Sequence, residues 1–362
     1  MCTIVLPTIL PRDRSGQGAG AGASHGKAGR RRSGTAPGRL AAHAATDGSS
    51  RDSARPAAYG ELTDAAEGSS LKSMKHAHPQ PARRWIRWIV LSPIILLAVV
   101  VLWGFLDANG GTGAAGMWNH RWNSANGEQV GGYLIRPDQA RRYVERPATG
   151  TLIGAEPSPN GRMPAVLMLH EWWGLTLETS AMAEQLAADG YIVLAPDLFR
   201  GRRSVSVPGA LVQMVLTPDS QVRADVDRAL TELRELPQVD PDRIGVVGFC
   251  FGGTQAMHLG ARSADPEAFA ILYGNGPITE EEELGALGTG GAVLGIYGAQ
   301  DQTIPLEEVR QFESILEDAE RNATISIYEG VGHAFVSLET IRNTETAAAA
   351  WDEVRRFLMA EL

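Results

Sequence analysis

The chain has 362 residues, 44% of them apolar and 21% charged, enough to bury a sizeable core and too apolar for a wholly disordered protein. Its net charge of −9 argues against a nucleic-acid partner, because a phosphate backbone requires a positive footprint. Two cysteines, Cys2 and Cys250, exclude a disulfide framework and a cysteine-rich zinc module.

The charge is unevenly distributed. Residues 1–87 carry 14 Lys and Arg against 6 Asp and Glu, residues 88–106 carry none, and residues 107–362 carry 19 Arg against 36 Asp and Glu. Residues 11–70 are rich in Gly, Ala, Ser, Pro and Arg, and offer few large apolar groups to offset chain entropy. Residues 1–87 are therefore expected to form a disordered basic tail. Met74-Lys75, ahead of Arg83, Arg84 and Arg87, provides an alternative start of translation.

Residues 88–106 read WIVLSPIILLAVVVLWGFL. Nineteen helical residues at ~1.5 Å each reach about 28 Å, close to the ~30 Å of a bilayer core. Pro93 lies inside, which a membrane helix tolerates, and Trp85, Trp88 and Trp103 stand near the ends. Basic residues crowd the N-terminal flank, so the reading is one transmembrane helix with a cytoplasmic N-terminus and an extracytoplasmic C-terminal domain. A buried core helix and a cleaved signal peptide are the alternatives; the run exceeds the usual apolar region of a signal peptide. Residues 107–127, with their Gly and Asn clusters, read as a linker.

From residue 128 to 362 short apolar runs alternate with amphipathic stretches. Strands are predicted at Ala165–Leu169, Tyr191–Ala195, Ile244–Gly248, Ala268–Tyr273, Val293–Tyr297 and Thr324–Tyr328. Helices are predicted at Leu177–Ala188, Ser220–Leu236, Gly252–Arg262, Pro305–Arg321 and Thr344–Glu361. The pattern predicts one α/β domain, a mostly parallel sheet flanked by helices.

In such folds the working groups stand beyond the carboxyl ends of the strands. The predicted strand at 244–248 runs into Gly248-Phe249-Cys250-Phe251-Gly252-Gly253 and then a helix, the G-x-nucleophile-x-G arrangement with cysteine as nucleophile. A tight turn would lift Cys250 clear of the sheet at a helix N-terminus, which favours thiolate. It would also aim the Phe251 amide at a developing oxyanion. A structural buried cysteine is the alternative.

A thiol nucleophile needs a base and an orienting acid. His333 follows a strand in Gly330-Val331-Gly332-His333-Ala334-Phe335 and is the predicted base; His258 falls within a helix and His120 in the linker. Asp301, in Gly298-Ala299-Gln300-Asp301, is the predicted acid, with a helix cap as its alternative. The order Cys250, Asp301, His333 matches α/β-hydrolases. The loop His170-Glu171-Trp172-Trp173-Gly174 offers the Trp172 amide as second oxyanion donor and an apolar wall in Trp173. Glu171 in this loop must be paired or functional, because burial without a partner costs several kcal/mol; it is predicted to control the thiol or to pair with an arginine. Arg200, in Pro196-Asp197-Leu198-Phe199-Arg200, is predicted to grip a substrate carboxylate or to pair with Glu171, with Arg202 and Arg203 close by; Asp197 reads as structural.

HEWWG, PDLFR, GFCFGG, the GAQD turn and GVGHAF, in this order, resemble the dienelactone hydrolase family over about residues 128–362. The resemblance implies an α/β-hydrolase fold, a Cys250–His333–Asp301 triad, Glu171 as thiol-controlling carboxylate, and neither metal nor organic cofactor. It places the family's first substrate arginine on Arg200. The second falls four positions after the histidine, where this chain has Ser337, so the substrate need not be dienelactone. The expectation is a membrane-anchored hydrolase that cleaves small-molecule esters or lactones through a thioester, and contacts the bilayer through residues 88–106. The alternative is a non-catalytic binding or scaffold domain that keeps the hydrolase shell.

Overall fold

The computed structural model describes residues 82–110, 114–140, 154–274 and 290–362. Most of the tail predicted at 1–87 lies outside them. The first described element is helix α1, Ala82–Gly110, which begins six residues before the predicted span and continues four beyond it. Its 29 residues reach about 44 Å. It is long and apolar enough to cross a membrane, and only 6% of its apolar window is buried within the protein, so it is no core helix.

Residues 107–127 are more than the linker expected. A 3-10 turn, Ala114–Met117, leads into strand β1, His120–Asn123, which pairs antiparallel with β2, Gln129–Ile135. The segment is ordered because Trp122 is buried in the core. Four residues were too few to show a strand period. After a short turn of helix, α2 (Pro137–Ala140), the α/β alternation begins.

The parallel strands are β3 (Met163–Leu169), β4 (Ile192–Pro196), β5 (Val239–Phe249), β6 (Ala268–Leu272), β7 (Ala292–Gly298) and β8 (Ala323–Tyr328). Among the described residues they form one sheet in the order β1-β2-β4-β3-β5-β6-β7-β8. Every residue of β4, β6 and β7 is buried, as strands covered on both faces require. β3 pairs β4 on one side and β5 on the other, with Val166 opposite Val193 and Gly245. The chain therefore reverses its direction of travel across the sheet between β3 and β5. Loops leaving those two strands diverge and open a crevice there.

The helices are α3 (Leu177–Ala188), α4 (Val207–Val215), α5 (Asp219–Arg234), α6 (Phe251–Arg262), α7 (Leu306–Asp318), α8 (Leu338–Asn343) and α9 (Glu345–Glu361). α9 buries Ala347, Ala350, Trp351, Val354 and Leu358, a stripe at helical spacing. Arg355 lies under that stripe, 7% exposed, with its guanidinium on both Asp189 oxygens at 2.6 Å and on Asp352 at 3.0 Å. This pair ties the last helix to the turn between α3 and β4.

Helix α4 was not foreseen. No charged residue occurs from Ser204 to Pro218, so no amphipathic period stands out. Ser206 caps the helix by accepting from the Gly209 amide at 3.3 Å. The helix packs on the end of α1, where Gly104 lies so close to Pro208 that a Cβ would meet the Pro208 carbonyl at 2.7 Å. Asp107 of α1 accepts from the Ser206 amide at 3.1 Å and its hydroxyl at 2.6 Å.

Removing one partner of a buried pair strands the other charge, at a cost of about 3 kcal/mol. Asp189→Ala is therefore expected to lower the unfolding free energy by about that much in denaturant titration of the protein. A loss below about 1 kcal/mol would mean that the pair behaves as an exposed one.

Candidate active site

The turn between β5 and α6 is where the backbone is forced. Cys250 has φ +51°, a left-handed conformation that costs a non-glycine residue on the order of 1–3 kcal/mol. The glycines make it feasible. A Cβ at Gly248 would collide with the Gly252 carbonyl, and one at Gly252 with the carbonyls of Leu169 and His170. The Cys250 amide donates to Leu272 at 3.0 Å, which fixes the turn to β6. Phe251 is the first residue of α6, so its amide has no partner within the helix.

Two further loops converge on the sulfur. His333 Nε2 lies 3.2 Å from Cys250 Sγ, and His333 Nδ1 lies 2.8 Å from Asp301 Oδ2. The other Asp301 oxygen accepts from the Thr303 and Ile304 amides at 2.7 and 3.0 Å. Burial alone would raise the Asp301 pKa, but the His333 hydrogen bond and these amides outweigh it and hold the carboxyl below its ordinary value. The Tyr273 ring packs edge-on against the imidazole at 5.3 Å, and its hydroxyl donates to the Val336 carbonyl at 3.0 Å.

Glu171 lies at the end of β3, on the other side of the crevice. Burial raises its pKa from 4.5 to about 7, the charge of Glu178 adds to this, and His333 opposes it. Its own carbonyl accepts from His170 Nδ1 at 2.7 Å and from the Gly174 amide at 3.1 Å. That carbonyl belongs to the same peptide plane as the Trp172 N–H, so His170 and Gly174 together fix the direction of the Trp172 amide. His170 is fully buried and accepts from the Leu198 amide at its other nitrogen, 3.1 Å away. Burial lowers its pKa to about 4, so the ring is neutral with the proton on Nδ1. The sequence had placed His170 in the right loop without giving it work; its signal was a histidine directly after a buried strand.

A cavity of about 540 Å³ adjoins this cluster. Its wall includes Glu171, Trp173, Leu177, Glu178, Arg203 and Val205, with Phe249 and Ala334, the chain neighbours of Cys250 and His333. Neither Cys250, 5% exposed, nor the His333 ring, 21% exposed, is itself part of that wall. Trp173 lines the cavity as expected, whereas Trp172 does not.

Arg200 stands elsewhere. Its guanidinium holds both Asp225 oxygens at 2.8 Å, also contacts Glu128, and does not reach the cavity. Asp225 on α5 is buried and needs a counter-charge, which decides the direction of the arginine. Arg203 is the arginine in the cavity wall, and among the described residues it has no hydrogen bond or ion pair. Asp197 is buried and accepts from Trp118 Nε1 and the Phe199 and Gly201 amides, which fix the turn ahead of Arg203; its burial, opposed by these donors, raises its pKa to about 6. Ser337 also lines the cavity and is used as a cap: its hydroxyl accepts from the Thr340 amide, and the Thr340 hydroxyl in turn accepts from the Ser337 amide. His120, placed in the linker by sequence, contacts Glu232 at 3.0 Å, away from this site.

The dienelactone hydrolase family model matches residues 150–362, more than half of the chain. The chain belongs to the dienelactone hydrolase family. Among its relatives is a Synechocystis protein provisionally named a carboxymethylenebutenolidase, 27% identical, with 58% of this chain and 90% of that one aligned. An Escherichia coli K12 protein with the same provisional name is 30% identical over 55% of this chain and 76% of its own. A solved structure from Klebsiella pneumoniae, provisionally named a dienelactone hydrolase, shares the α/β fold with a TM-score of 0.53 at 24% identity, over 65% of this chain and 96% of that one. This dienelactone hydrolase-family chain is accordingly a hydrolase of the carboxymethylenebutenolidase class.

The raised Glu171 carboxyl links stability to pH. A carboxyl that is harder to ionise in the folded chain contributes stability below about pH 4.5 and loses it as pH rises through about 7. Glu171→Gln should therefore unfold at higher denaturant than the parent at pH 8, and at a similar concentration near pH 4.5. A gap that did not widen with pH would refute the raised value.

Proposed function

We propose that this protein hydrolyses carboxylic esters or lactones through a Cys250 thioester. The observation that carries this reading is the continuous chain from Sγ to imidazole to carboxylate, 3.2 and 2.8 Å, at a strained turn on a helix N-terminus. Asp301, held anionic, keeps the His333 proton on Nδ1 and leaves Nε2 facing the sulfur. Nε2 takes the thiol proton as sulfur attacks the carbonyl carbon. The Phe251 and Trp172 amides stabilise the oxygen that becomes negative. The tetrahedral intermediate collapses, the C–O bond breaks, and the imidazolium protonates the departing alkoxide. Water then attacks the thioester, gives its proton to His333, and releases the acid and the thiol.

Glu171 has a distinct part. Near neutral pH its raised pKa keeps it partly protonated, so it hydrogen-bonds the thiol region without placing a full negative charge beside a developing thiolate. Trp173 supplies an apolar wall. Arg203, not Arg200, is the group we assign to an acidic substituent of the substrate, because it lines the cavity and has no counter-ion among the described residues.

We also read α1 as an uncleaved membrane span with the N-terminus cytoplasmic and the hydrolase domain across the bilayer. Its length and apolar exposure support the span, and the basic flank at Arg83, Arg84 and Arg87 supports the direction. The bonds from Asp107 to Ser206 support retention, because cleavage would remove the partner of the α4 cap.

Three substitutions test the chemistry, assayed by kcat/KM on activated esters. Cys250→Ala should abolish turnover with the fold intact, and undiminished activity would refute the mechanism. Asp301→Asn should cost on the order of 10³-fold or more, since the histidine tautomer is lost. Arg203→Ala should reduce the preference for acidic over neutral esters by about 10-fold, the worth of one charge-assisted hydrogen bond. An unchanged preference would remove Arg203 from substrate binding.

A further inference from the structure

The segment from Val205 to Leu216 breaks the rule followed elsewhere on the described domain surface. It exposes Val205 by 80%, Val215 by 77%, Val207 by 51% and Leu216 by 42%, with no charged residue between Ser204 and Pro218. Scattered exposed apolar residues are ordinary; a run of them on one capped helix marks an interaction surface.

Its place narrows the partner. α4 is packed on the last turns of α1 through Gly104 and Pro208, and Asp107 fastens its N-terminus. The outward residues of α1 at this level, Leu102, Trp103, Phe105 and Leu106, are 48–57% exposed. Exposed apolar residues of α1 thus lie beside those of α4, with the Asp107–Ser206 bonds joining the two helices. Gly104 lies three residues before Asp107, about 4.5 Å along the helix, so α4 packs beside the last turn of the apolar run and not beyond it. Whatever covers the end of α1 covers α4 as well.

The same surface reaches the cavity. Val205 and Leu177, 80% and 74% exposed, both line it, so its mouth is rimmed by bare apolar side chains. We propose that α4 lies in the headgroup–acyl boundary of the bilayer beside α1, and that the cavity opens there to receive esters dissolved in the lipid phase. The docking rests on the exposed surface together with the reading of α1 as a membrane span. The substrate class rests on the hydrolytic reading above.

The test uses the full chain in phosphatidylcholine–phosphatidylglycerol vesicles. A polarity-sensitive fluorophore is placed on Val215→Cys in a Cys2→Ser, Cys250→Ala background. It should be quenched by lipids brominated on the acyl chain, whereas the same label on exposed Glu317→Cys of α7 should not be. No quenching at 215, or equal quenching at both positions, would overturn the docking.

For the substrate, Val207→Glu/Val215→Glu is compared with the parent, both with Cys250 intact. Turnover of water-soluble p-nitrophenyl acetate should stay within about 2-fold, which certifies the fold, while turnover of a long-chain p-nitrophenyl ester held in the vesicles should fall by about 10-fold or more. An equal rate on the vesicle-borne ester would overturn the lipid-phase assignment. If the parent shows no Cys250-dependent turnover of either ester, the hydrolytic reading has failed, and the quenching result still decides the docking.

Discussion

The 3.2 Å approach of the Cys250 sulfur to the His333 ring is the constraint on which the rest of the structure converges. It brings together residues 83 positions apart, and the backbone conformation that makes it feasible is unfavourable for cysteine. The cost is borne by surroundings that leave no alternative: the Cys250 amide is bound to β6, and Gly248 and Gly252 let the turn close against itself and against the end of β3. Strain of this kind persists only where packing over-determines it. Much of the buried sheet can be understood as the frame that holds this one turn.

Two carboxylates flank the site and are driven apart in acidity. Asp301 receives three hydrogen bonds and stays below its ordinary pKa despite burial. Glu171 faces an apolar, aromatic loop with Glu178 nearby and rises to about 7. Environment thus drives two chemically similar carboxyl groups in opposite directions, one held ionised beside an imidazole and one held back from ionising. His170 belongs to this division as well. Held neutral by burial, it is a fixed donor that orients a peptide unit and takes no part in proton traffic.

The arginines show how a buried charge redirects a motif. Asp225 captures Arg200 and leaves Arg203 facing the cavity. Ser337, where the family pattern has a second arginine, is engaged in a capping box at the start of α8. The cavity is thus less cationic than the family pattern suggests, and its rim at Leu177 and Val205 is more apolar.

The sequence by itself determined the α/β alternation, the parallel strands and the glycine-flanked turn that carries Cys250, because these are local properties. A strand buried on both faces must be apolar throughout, and a nucleophile turn must have glycine where backbones touch. Helix α3 was legible to the residue, and β6 to within one, since periodicity and caps are written in adjacent positions. Tertiary structure alone decided which arginine meets the cavity, that residues 120–123 complete the sheet as β1, and that an uncharged stretch becomes α4 against α1. Arg200 depends on Asp225, 25 residues away, and the α4 cap on Asp107, 99 residues away, while β1 joins the sheet through β2, which itself pairs with β4 some 58 or more residues further on. Long-range pairing of charges and caps leaves no period in the chain, and only the folded arrangement records it.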